Sequence, residues 1–537
     1  MGEDPLPKWT KGMIVWAACV VPLADFIAWF SGGVRFREIV VCDLAFVLVI
    51  ALFYLKKRDR LSRLSLKQAV VILLCIFGIP MAVLVCMVLY FATGRSTMEK
   101  EKETRTGSAK ESALPLYAGW ASADITPERP VNLVGQLHKR IARSARDPLT
   151  ATALALETRG EAGDGEQAIL VSCDACMIRK PIQERLRAMV GPDLPDFDVG
   201  KLFLNATHTH TAPGFIDGAF KGLYDVSKDE GVMKASEYAE FFLPRVAEAV
   251  VAAWRNRRRG GMSWALGHAA VGWNRRAHYF DGSSRMYGNA NQEDFSNIEG
   301  GEDHAVEMMF FWEGKGKLTG VVINAACPSQ ETEGISEISA DYWHDVRREL
   351  RKRHSSGLFI LPQCGAAGDV SPHLLFRQRA QEIMDERRGL TRRQEIARRI
   401  ADAVDEALPC AQKGIRTELV FKHAQANVDL PEKDPPAPPF YETDPVNPIE
   451  FHVMRLGEVA LATNPFELYT DYGVRIKARS PAVLTFVVQL ACQHSGYLPT
   501  ARAVPGGGYS ADQYVVGPEG GRILVDETVR RIQALWD

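Results

Sequence analysis

The chain has no excess of charge of either sign. Its 64 lysine and arginine residues nearly balance 66 aspartate and glutamate residues, which leaves a net charge of -2 over 537 residues. A nucleic-acid-binding surface needs a basic patch, and a balance this even gives no sign of one. We therefore expect no nucleic-acid partner.

Cysteine is too sparse for a disulfide scaffold. Of ten cysteines, four fall in apolar segments near the N-terminus and six are spread over the remaining length. Small secreted domains held by disulfides are far richer in cysteine. Cys173 and Cys176 form a CxxC pair, but no second pair lies nearby to complete a zinc knuckle. We interpret the two as small buried hydrophobic residues at a strand end.

Long apolar runs occur only in the first hundred residues. A spanning helix needs about 20 apolar residues at ~1.5 Å each, which predicts three spans at residues 13–30, 39–55 and 69–92. The first is the weakest because it contains Pro22 and Asp25. No signal-peptide cleavage pattern follows a single short apolar region, so residues 1–92 are interpreted as a retained membrane anchor.

The loop between the second and third spans predicts the orientation of the chain. Residues 56–67, "KKRDRLSRLSLK", carry six basic side chains, which favours the cytoplasmic side. The chain after residue 92 would then face the periplasm or the cell exterior. Residues 93–115 are small and charged without apolar periodicity, which is typical of a flexible linker.

Residues 116–537 alternate short apolar runs with helix-like stretches. The runs include "AILVSCD", "LFLNATH" and "GLFILPQC", and the helix-like stretches cover residues 237–256 and 391–408. Thr391 followed three residues later by Gln394 is a capping-box pattern at a helix start. Alternation of this kind predicts an α/β body.

Polar side chains follow several of these apolar runs. In "LFLNATHTHTAPG", His208 and His210 are two residues apart, and an extended strand would point both to one side. Strand ends in α/β folds commonly carry sites. The pair could instead satisfy local backbone groups, because histidine is an ordinary polar residue as well as a metal ligand.

Three other strand endings carry candidate residues. Cys327 lies in "NAACPSQ", Asp369 and Ser371 lie in "GAAGDVSPH", and Glu467 lies in "ATNPFELYTDYG". Each could also be an ordinary turn or helix cap. Spacing alone leaves open whether the four endings converge.

Taken together, the motifs are identifiable. From residue 116 to 532 the chain resembles the N-terminal catalytic domain of the neutral, non-lysosomal ceramidases, and the segments that carry the resemblance occur in this order: "AGWASADITP", "LNATHTHTAPG", "WNRRAHY", "INAACPSQ", "ISADYWH", "GAAGDVSP", "NPFELYTDYGVRIK" and "SGYLPTARAVPGGGYSADQY". The resemblance implies an α/β fold with a layered, mixed-sheet catalytic domain, here preceded by an all-α transmembrane anchor. We expect the family's C-terminal immunoglobulin-like domain to be absent.

The resemblance also implies one Zn²⁺ per chain. Its ligands would be His208, Glu467 and Tyr497, with Cys327 at the position where the family has a second histidine. Thiolate is a good zinc ligand, with a Zn–S distance of ~2.3 Å. Cys327 could therefore keep the metal while changing its charge.

Other positions match residues that contact the substrate in the family. His210, Arg275 and Tyr509 would stabilise the oxyanion formed during amide cleavage. Ser371 matches a serine once proposed as the family's nucleophile, and it is retained with Asp369 among the candidate catalytic residues. Because a metal would be available, we favour a loop-shaping role for these two.

The function implied is a membrane-tethered, zinc-dependent hydrolase that cleaves the amide of N-acyl sphingoid lipids, or a related amide or ester. Its partners would be a lipid or small amide substrate and the membrane held through the N-terminal helices. The alternative is a non-catalytic ectodomain of the same fold that binds a lipid or envelope component, which the cysteine at position 327 favours.

Overall fold

The computed structural model describes residues 112–160, 165–314, 316–434, 443–517 and 519–537. The chain divides into two units, Met1–Lys110 and Glu111–Asp537, and every described residue belongs to the second. The three spans predicted from the sequence lie outside the described residues. Among the helices of the described ranges, none combines the length and apolarity needed to cross a membrane.

The strands and α-helices of the described residues are numbered here in chain order. The strands are β1 Leu114–Asp124, β2 Val131–Leu133, β3 Arg140–Ala142, β4 Thr150–Thr158, β5 Gln167–Cys173, β6 Leu202–Ala206, β7 Arg258–His268, β8 Trp273–Asn274, β9 Arg276–Tyr279, β10 Ser284–Met286, β11 Phe295–Ile298, β12 Ala305–Glu313, β13 Lys317–Ala325, β14 Phe359–Cys364, β15 Val370–Ser371, β16 Glu418–Leu419, β17 Phe421–Val428, β18 Ile449–Leu456, β19 Val459–Thr463, β20 Glu467–Leu468, β21 Leu484–Val488 and β22 Tyr497–Leu498. The helices are α1 Lys180–Val190, α2 Ala235–Arg255, α3 Tyr342–Arg353, α4 Gln378–Arg388, α5 Arg392–Lys413, α6 Thr470–Arg479, α7 Tyr509–Asp512 and α8 Gly520–Gln533.

A large mixed sheet forms the centre of the fold. Its strand order is β14-β13-β12-β7-β1-β4-β5-β6, with β16 paired to the start of β1. The pairs β5–β6 and β13–β14 are parallel, and the other neighbours are antiparallel. The α/β class and the mixed sheet expected from the sequence are therefore confirmed.

Alternate residues of the central strands point into two different cores. Ile169 and Val171 of β5 pack against α2 on one face. Leu170 between them points to the opposite face, where it meets Phe421 and Phe486 of a second sheet. This two-residue period explains why the central strands read as continuous apolar runs, since both faces are buried.

The second sheet completes a layered arrangement. It has the order β17-β18-β19-β21, with β19 and β21 parallel. Helices α6 and α8 cover its outer face, with Ile476 and Leu524 in that core. Helices α3 and α5 cover another part of the large sheet. The layers run helix, sheet, sheet, helix, so apolar side chains are covered at every level.

Helix α5 begins where the capping pattern predicts. Thr391 is its N-cap: the Thr391 N–H donates to the side-chain oxygen of Gln394 at 2.9 Å, and the Gln394 N–H donates to the Thr391 hydroxyl at 3.4 Å. This reciprocal pair satisfies two of the N–H groups that have no partner inside the helix. The observed helix extends to Lys413, five residues beyond the predicted end.

Thr391→Ala should lower the free energy of unfolding by about 1 kcal/mol, because the cap hydroxyl is lost while the apolar face of α5 stays buried. Urea denaturation followed by circular dichroism measures the change. Thr391→Ser is the matched control and should stay close to wild type, since serine caps as well as threonine. Equal losses in both variants would contradict the capping role.

Candidate active site

The two histidines lie on a turn beyond the end of β6. The strand ends at Ala206, and the N–H of His208 donates to the carbonyl of Ala175 at 2.9 Å. His208 has φ of 65°, a left-handed conformation uncommon for a non-glycine residue. The sequence-based expectation that an extended strand aligns His208 with His210 is therefore wrong. The turn still brings their ring centroids to 4.9 Å, nearly perpendicular at 85°.

His208 and Glu467 face each other with an arrangement that requires a positive charge between them. Nδ1 of His208 lies 2.6 Å from the carbonyl oxygen of Cys176. A carbonyl only accepts, so Nδ1 carries a proton and donates. Nε2 of His208 then faces a carboxylate oxygen of Glu467 at 3.2 Å. Both atoms are acceptors unless a proton or a metal ion lies between them.

The ionisation of this pair follows the same logic. Burial opposes the charged form of both groups, but each charge outweighs it by stabilising the other. The pKa of His208 is raised well above its ordinary value, and the pKa of Glu467 is lowered well below its own. With His208 charged, the two groups form a buried ion pair.

Tyr497 stands beside Glu467 because their strands form a short parallel ladder. Glu467 of β20 is the register partner of Tyr497 of β22. The Tyr497 hydroxyl lies 3.4 Å from a guanidinium nitrogen of Arg275, and its ring is 5.5 Å from the ring of Tyr509. Four residues predicted from the sequence therefore lie close together: Arg275, Glu467, Tyr497 and Tyr509.

Tyr509 reaches the site at the start of α7. The preceding residues Gly507 and Gly508 have φ of 64° and 86°, which side-chain-bearing residues rarely adopt. The glycine run in "VPGGGYSADQY" is thus the turn that delivers the tyrosine. Burial and the nearby Glu467 raise the pKa of Tyr509, so its hydroxyl keeps its proton and can donate.

Arg275 places a permanent positive charge in the site. Its guanidinium is buried and donates to the Tyr287 hydroxyl at 2.9 Å, to the Gly368 carbonyl at 3.1 Å and to the Gln330 side-chain oxygen at 3.4 Å. Its backbone N–H donates to the Asp369 carbonyl at 2.9 Å. The planar guanidinium is therefore held in one orientation by several acceptors.

Gln330 links Arg275 to His210 and determines which nitrogen of His210 is protonated. Because Arg275 donates to the Gln330 oxygen, the amide nitrogen must face His210, and it lies 2.9 Å from Nε2. An amide N–H₂ only donates, so Nε2 is an acceptor and the proton lies on Nδ1. Nδ1 is 3.0 Å from a carboxylate oxygen of Glu333. Nε2 of His210 therefore accepts a hydrogen bond in this structure, whereas the family resemblance implied that His210 would stabilise the substrate oxyanion.

Asp369 and Ser371 stabilise the loop behind Arg275. One Asp369 oxygen accepts from the N–H and hydroxyl of Thr470 at 2.8 and 2.9 Å, and the other accepts from Asn274 at 2.8 Å. The Ser371 hydroxyl accepts from the Tyr287 hydroxyl at 3.2 Å and is fully buried. These contacts fit the loop-shaping role that we favoured for both residues.

Two buried cysteines have contrasting positions. The Cys327 thiol lies 3.4 Å from the Val271 carbonyl, and burial together with Cys364 raises its pKa well above the ordinary value. The Cys327 thiol contacts the backbone carbonyls of Val271 and Pro328, in the core that packs against α3. Cys176, which we interpreted as a packing residue, instead lies with its sulfur 3.8 Å from Nδ1 of His208. Cys176, His208 and His210 form a group whose ligand-type atoms lie within 4.8 Å of one another.

A second cluster of metal-ligating side chains lies between the two sheets. Glu450, His452 and Cys492 also offer three ligand-type atoms within 4.8 Å. Arg187 donates to both oxygens of Glu450, at 2.7 and 3.2 Å. The carboxylate charge is already compensated by the guanidinium, so this cluster is a buried ion pair with a supporting histidine.

The Glu450 ion pair predicts a pH dependence of stability. Burial raises the pKa of Glu450, but hydrogen bonds from His452 and Arg187 outweigh it and lower the pKa to about 2. The contribution is present above the unfolded pKa of about 4.3 and is lost as pH falls toward the folded value. We expect the difference in unfolding free energy between wild type and Glu450→Gln to shrink between pH 5 and about 2.

Urea unfolding at several pH values measures that difference. Glu240→Gln is the matched control, because Glu240 forms an exposed pair with Arg185 at 2.7 Å, and exposed pairs contribute little. Its difference from wild type should be small at every pH. A Glu450→Gln difference that does not change with pH would contradict the assignment.

Several site residues escaped the sequence interpretation. Gln330 and Glu333 lie in "SQETEG", after "AACP", Tyr287 follows β10, and Cys176 was interpreted as a packing residue with its CxxC partner. The nearest signal was the density of polar residues in "SQETEG", directly after an apolar strand. The partners of Gln330 and Cys176 are His210 and His208, which lie 120 and 32 positions away, too distant for spacing to reveal.

Comparison with known proteins identifies the fold of the chain. No protein-family profile matches the chain, and no curated protein matches it. Among solved structures, neutral ceramidase from Pseudomonas aeruginosa is similar with a TM-score of 0.63 and 17% identity, over 79% of this chain and 75% of that one. A ceramidase complexed with C2 is similar with a TM-score of 0.61 and 16% identity, over the same shares. The chain therefore has the fold of the neutral ceramidases.

Proposed function

We propose that the chain is a membrane-tethered, zinc-dependent hydrolase of N-acyl amides, with N-acyl sphingoid lipids as the most specific substrate class. The observation that carries the proposal is the facing pair of His208 and Glu467, which needs a proton or a metal ion between its acceptor atoms. Arg275, Tyr497 and Tyr509 stand beside that pair. The similar solved structures are ceramidases, which supports the substrate class.

The donor set fits a zinc ion. Imidazole nitrogen and carboxylate oxygen are ordinary zinc ligands, and the phenol of Tyr497 is a further oxygen. The other ring nitrogen of His208 donates to a backbone carbonyl, which is the support that metal-binding histidines usually have. When bound there, zinc supplies Lewis acidity that lowers the pKa of a water to about 7.

The remaining residues would act on the substrate. The Arg275 guanidinium and the protonated Tyr509 hydroxyl can stabilise negative charge that develops on the amide oxygen. Nε2 of His210 accepts from the Gln330 amide in this structure, and once that amide is displaced, its lone pair can accept the proton that an attacking water releases. Gln330 and Glu333 hold the imidazole in the tautomer that makes this possible.

Membrane attachment through residues 1–92, with residues 93–115 as the linker, would place the hydrolase on the periplasmic or extracellular side. A lipid amide in the outer surface of that membrane would then be close to the site. The linker length gives only loose positioning, because a flexible chain of this kind samples many end-to-end distances.

Metal content and turnover test the proposal together. Purified full-length protein should carry about one zinc per chain and release fatty acid from N-acyl sphingoid lipids, with simple N-acyl amides and esters as a panel. Glu467→Gln should lose most of the zinc, because one carboxylate charge is removed. A folded protein with neither zinc nor turnover would contradict the proposal and favour the non-catalytic, lipid-binding alternative.

Cobalt substitution decides which cysteine, if either, is a ligand. A thiolate bound to Co²⁺ gives an intense near-ultraviolet charge-transfer band, and the sequence predicts that Cys327→Ser removes it. Cys176→Ser is the matched variant, since the Cys176 sulfur is the one close to His208. Loss of the band in Cys176→Ser alone would assign the thiolate ligand to Cys176 instead of Cys327. A cobalt-loaded wild type without the band would exclude both cysteines as metal ligands.

A further inference from the structure

A cavity of about 140 Å³, lined mainly by apolar residues, lies beside the turn that follows His210. Its wall includes Val134, Met177 and Pro213. Met177 directly follows Cys176, whose carbonyl and sulfur contact His208. The cavity and the site therefore share a wall.

The other side of the shared wall is in contact with His210. A Cβ on Gly135, next to Val134, would come within 2.4 Å of Cγ of His210, so the glycine backbone packs directly on the imidazole. Pro213 follows His210 by three residues, and its segment also forms the wall. Two separate chain segments thus connect the cavity to the substrate-facing histidine.

The lining is suited to a hydrocarbon group. The apolar residues that line the cavity include Phe215, Ile216, Ala219, Val226 and Met233. Two polar groups of the wall have partners within the protein: Arg179 lies 3.0 Å from Asp444, and the Tyr224 hydroxyl accepts from the Gly135 N–H at 3.2 Å. The Arg179 charge is therefore already compensated by Asp444.

We propose that this cavity binds a short, unbranched alkyl chain carried by the substrate. The inference rests on the proposed function and deepens it by setting a length. A cavity of about 150 Å³ lined by apolar side chains holds one benzene, which has six carbons. The present volume therefore corresponds to a chain of about six carbons. The enzyme should prefer short-chain N-acyl amides to their long-chain counterparts.

A substrate series tests the length. Amides of one chromogenic amine with acyl chains of two to sixteen carbons should show kcat/KM rising about fourfold per methylene up to six carbons and falling beyond. A second series varies an N-alkyl group on a fixed acyl chain. The series that shows the optimum identifies which chain enters the cavity. No optimum near six carbons in either series would overturn the proposal.

Two cavity variants and one control make the test specific. Ala219→Leu adds three carbon atoms and should lower kcat/KM for the six-carbon substrate about 50-fold while leaving the two-carbon substrate nearly unchanged. Val226→Ala should move the optimum to a longer chain. Leu266→Ala, at an exposed position elsewhere, should keep the wild-type profile. Identical profiles in all variants would overturn the proposal.

Ligand binding separates this inference from the proposed activity. Hexanoate should raise the Tm of the full-length chain in lipid nanodiscs, where no detergent alkyl chain competes, and should do so less in Ala219→Leu. Hexanoate stabilisation without turnover of any amide would uphold the cavity and contradict the hydrolase. Amide turnover with no hexanoate effect and no length optimum would overturn the cavity and leave the hydrolase in place.

Discussion

His208→Ala should yield a folded protein that holds no zinc and has lost hydrolase activity by about three orders of magnitude or more. The imidazole occupies one side of the position where a cation is needed, and Glu467 occupies the other. Without the ring, the carboxylate has lost the partner that holds its pKa low. Metal analysis of the dialysed protein and a fatty-acid release assay measure the two losses, which should occur together because the proposed zinc would supply the chemistry.

His210→Ala is the matched variant on the same turn. Its ring is 4.9 Å from the ring of His208, but its nitrogens contact Gln330 and Glu333. We expect zinc to be retained and turnover to fall by about 10² to 10⁴, the usual cost of losing a proton-transfer group. Retention of zinc in His208→Ala, or its loss in His210→Ala, would contradict the division of roles between the two histidines.

Arg275→Ala should lower kcat by about 10² to 10³, which corresponds to ~3–4 kcal/mol of lost transition-state stabilisation, while zinc content stays at the wild-type value. The guanidinium is buried, carries a charge at every accessible pH and lies within 3.4 Å of the Tyr497 hydroxyl. Steady-state kinetics with metal analysis on the same samples measure the effect. The loss should appear in kcat more than in KM, because charge develops on the substrate only in the transition state.

Two controls separate catalysis by Arg275 from its role in packing. Arg275→Lys keeps the charge but loses the planar fork that contacts Tyr287 and Gly368, so it should recover only part of the activity. Arg259→Ala removes an exposed arginine that pairs with Glu418 at 3.3 Å, and it should leave kinetics unchanged. Full activity in Arg275→Ala would contradict an oxyanion role for this residue.

Much of the fold is predictable from local patterns. The two-residue alternation between buried faces, the capping pair of Thr391 and Gln394, and the apolar runs that become central strands all act between near neighbours in the chain. The glycine run before Tyr509 is another local signal, because positive φ values are costly for other residues. The α/β class therefore followed from local patterns, while the mixed sheet was implied by the family resemblance.

The candidate site was only partly accessible to the same reasoning. Family resemblance identified His208, Glu467, Tyr497 and Arg275, and the structure brings these four together. The expected geometry of the HxH pair was wrong, because the strand ends before it and His208 adopts a left-handed turn. A backbone reversal of this kind has no distinct sequence signal when the residue involved is not glycine.

The sequence by itself determined the strand and helix pattern and the helix cap, because each depends on short-range chemistry. The candidate residues came from the family resemblance, and the N-terminal anchor stays a prediction. Only the tertiary structure decided that Gln330 and Glu333 orient His210, that the Cys176 sulfur lies beside His208, and that the Cys327 thiol contacts core carbonyls. His208 and Glu467 are 259 positions apart in the chain. Such contacts depend on how two sheets pack, and packing is a property of the whole domain that no local pattern encodes.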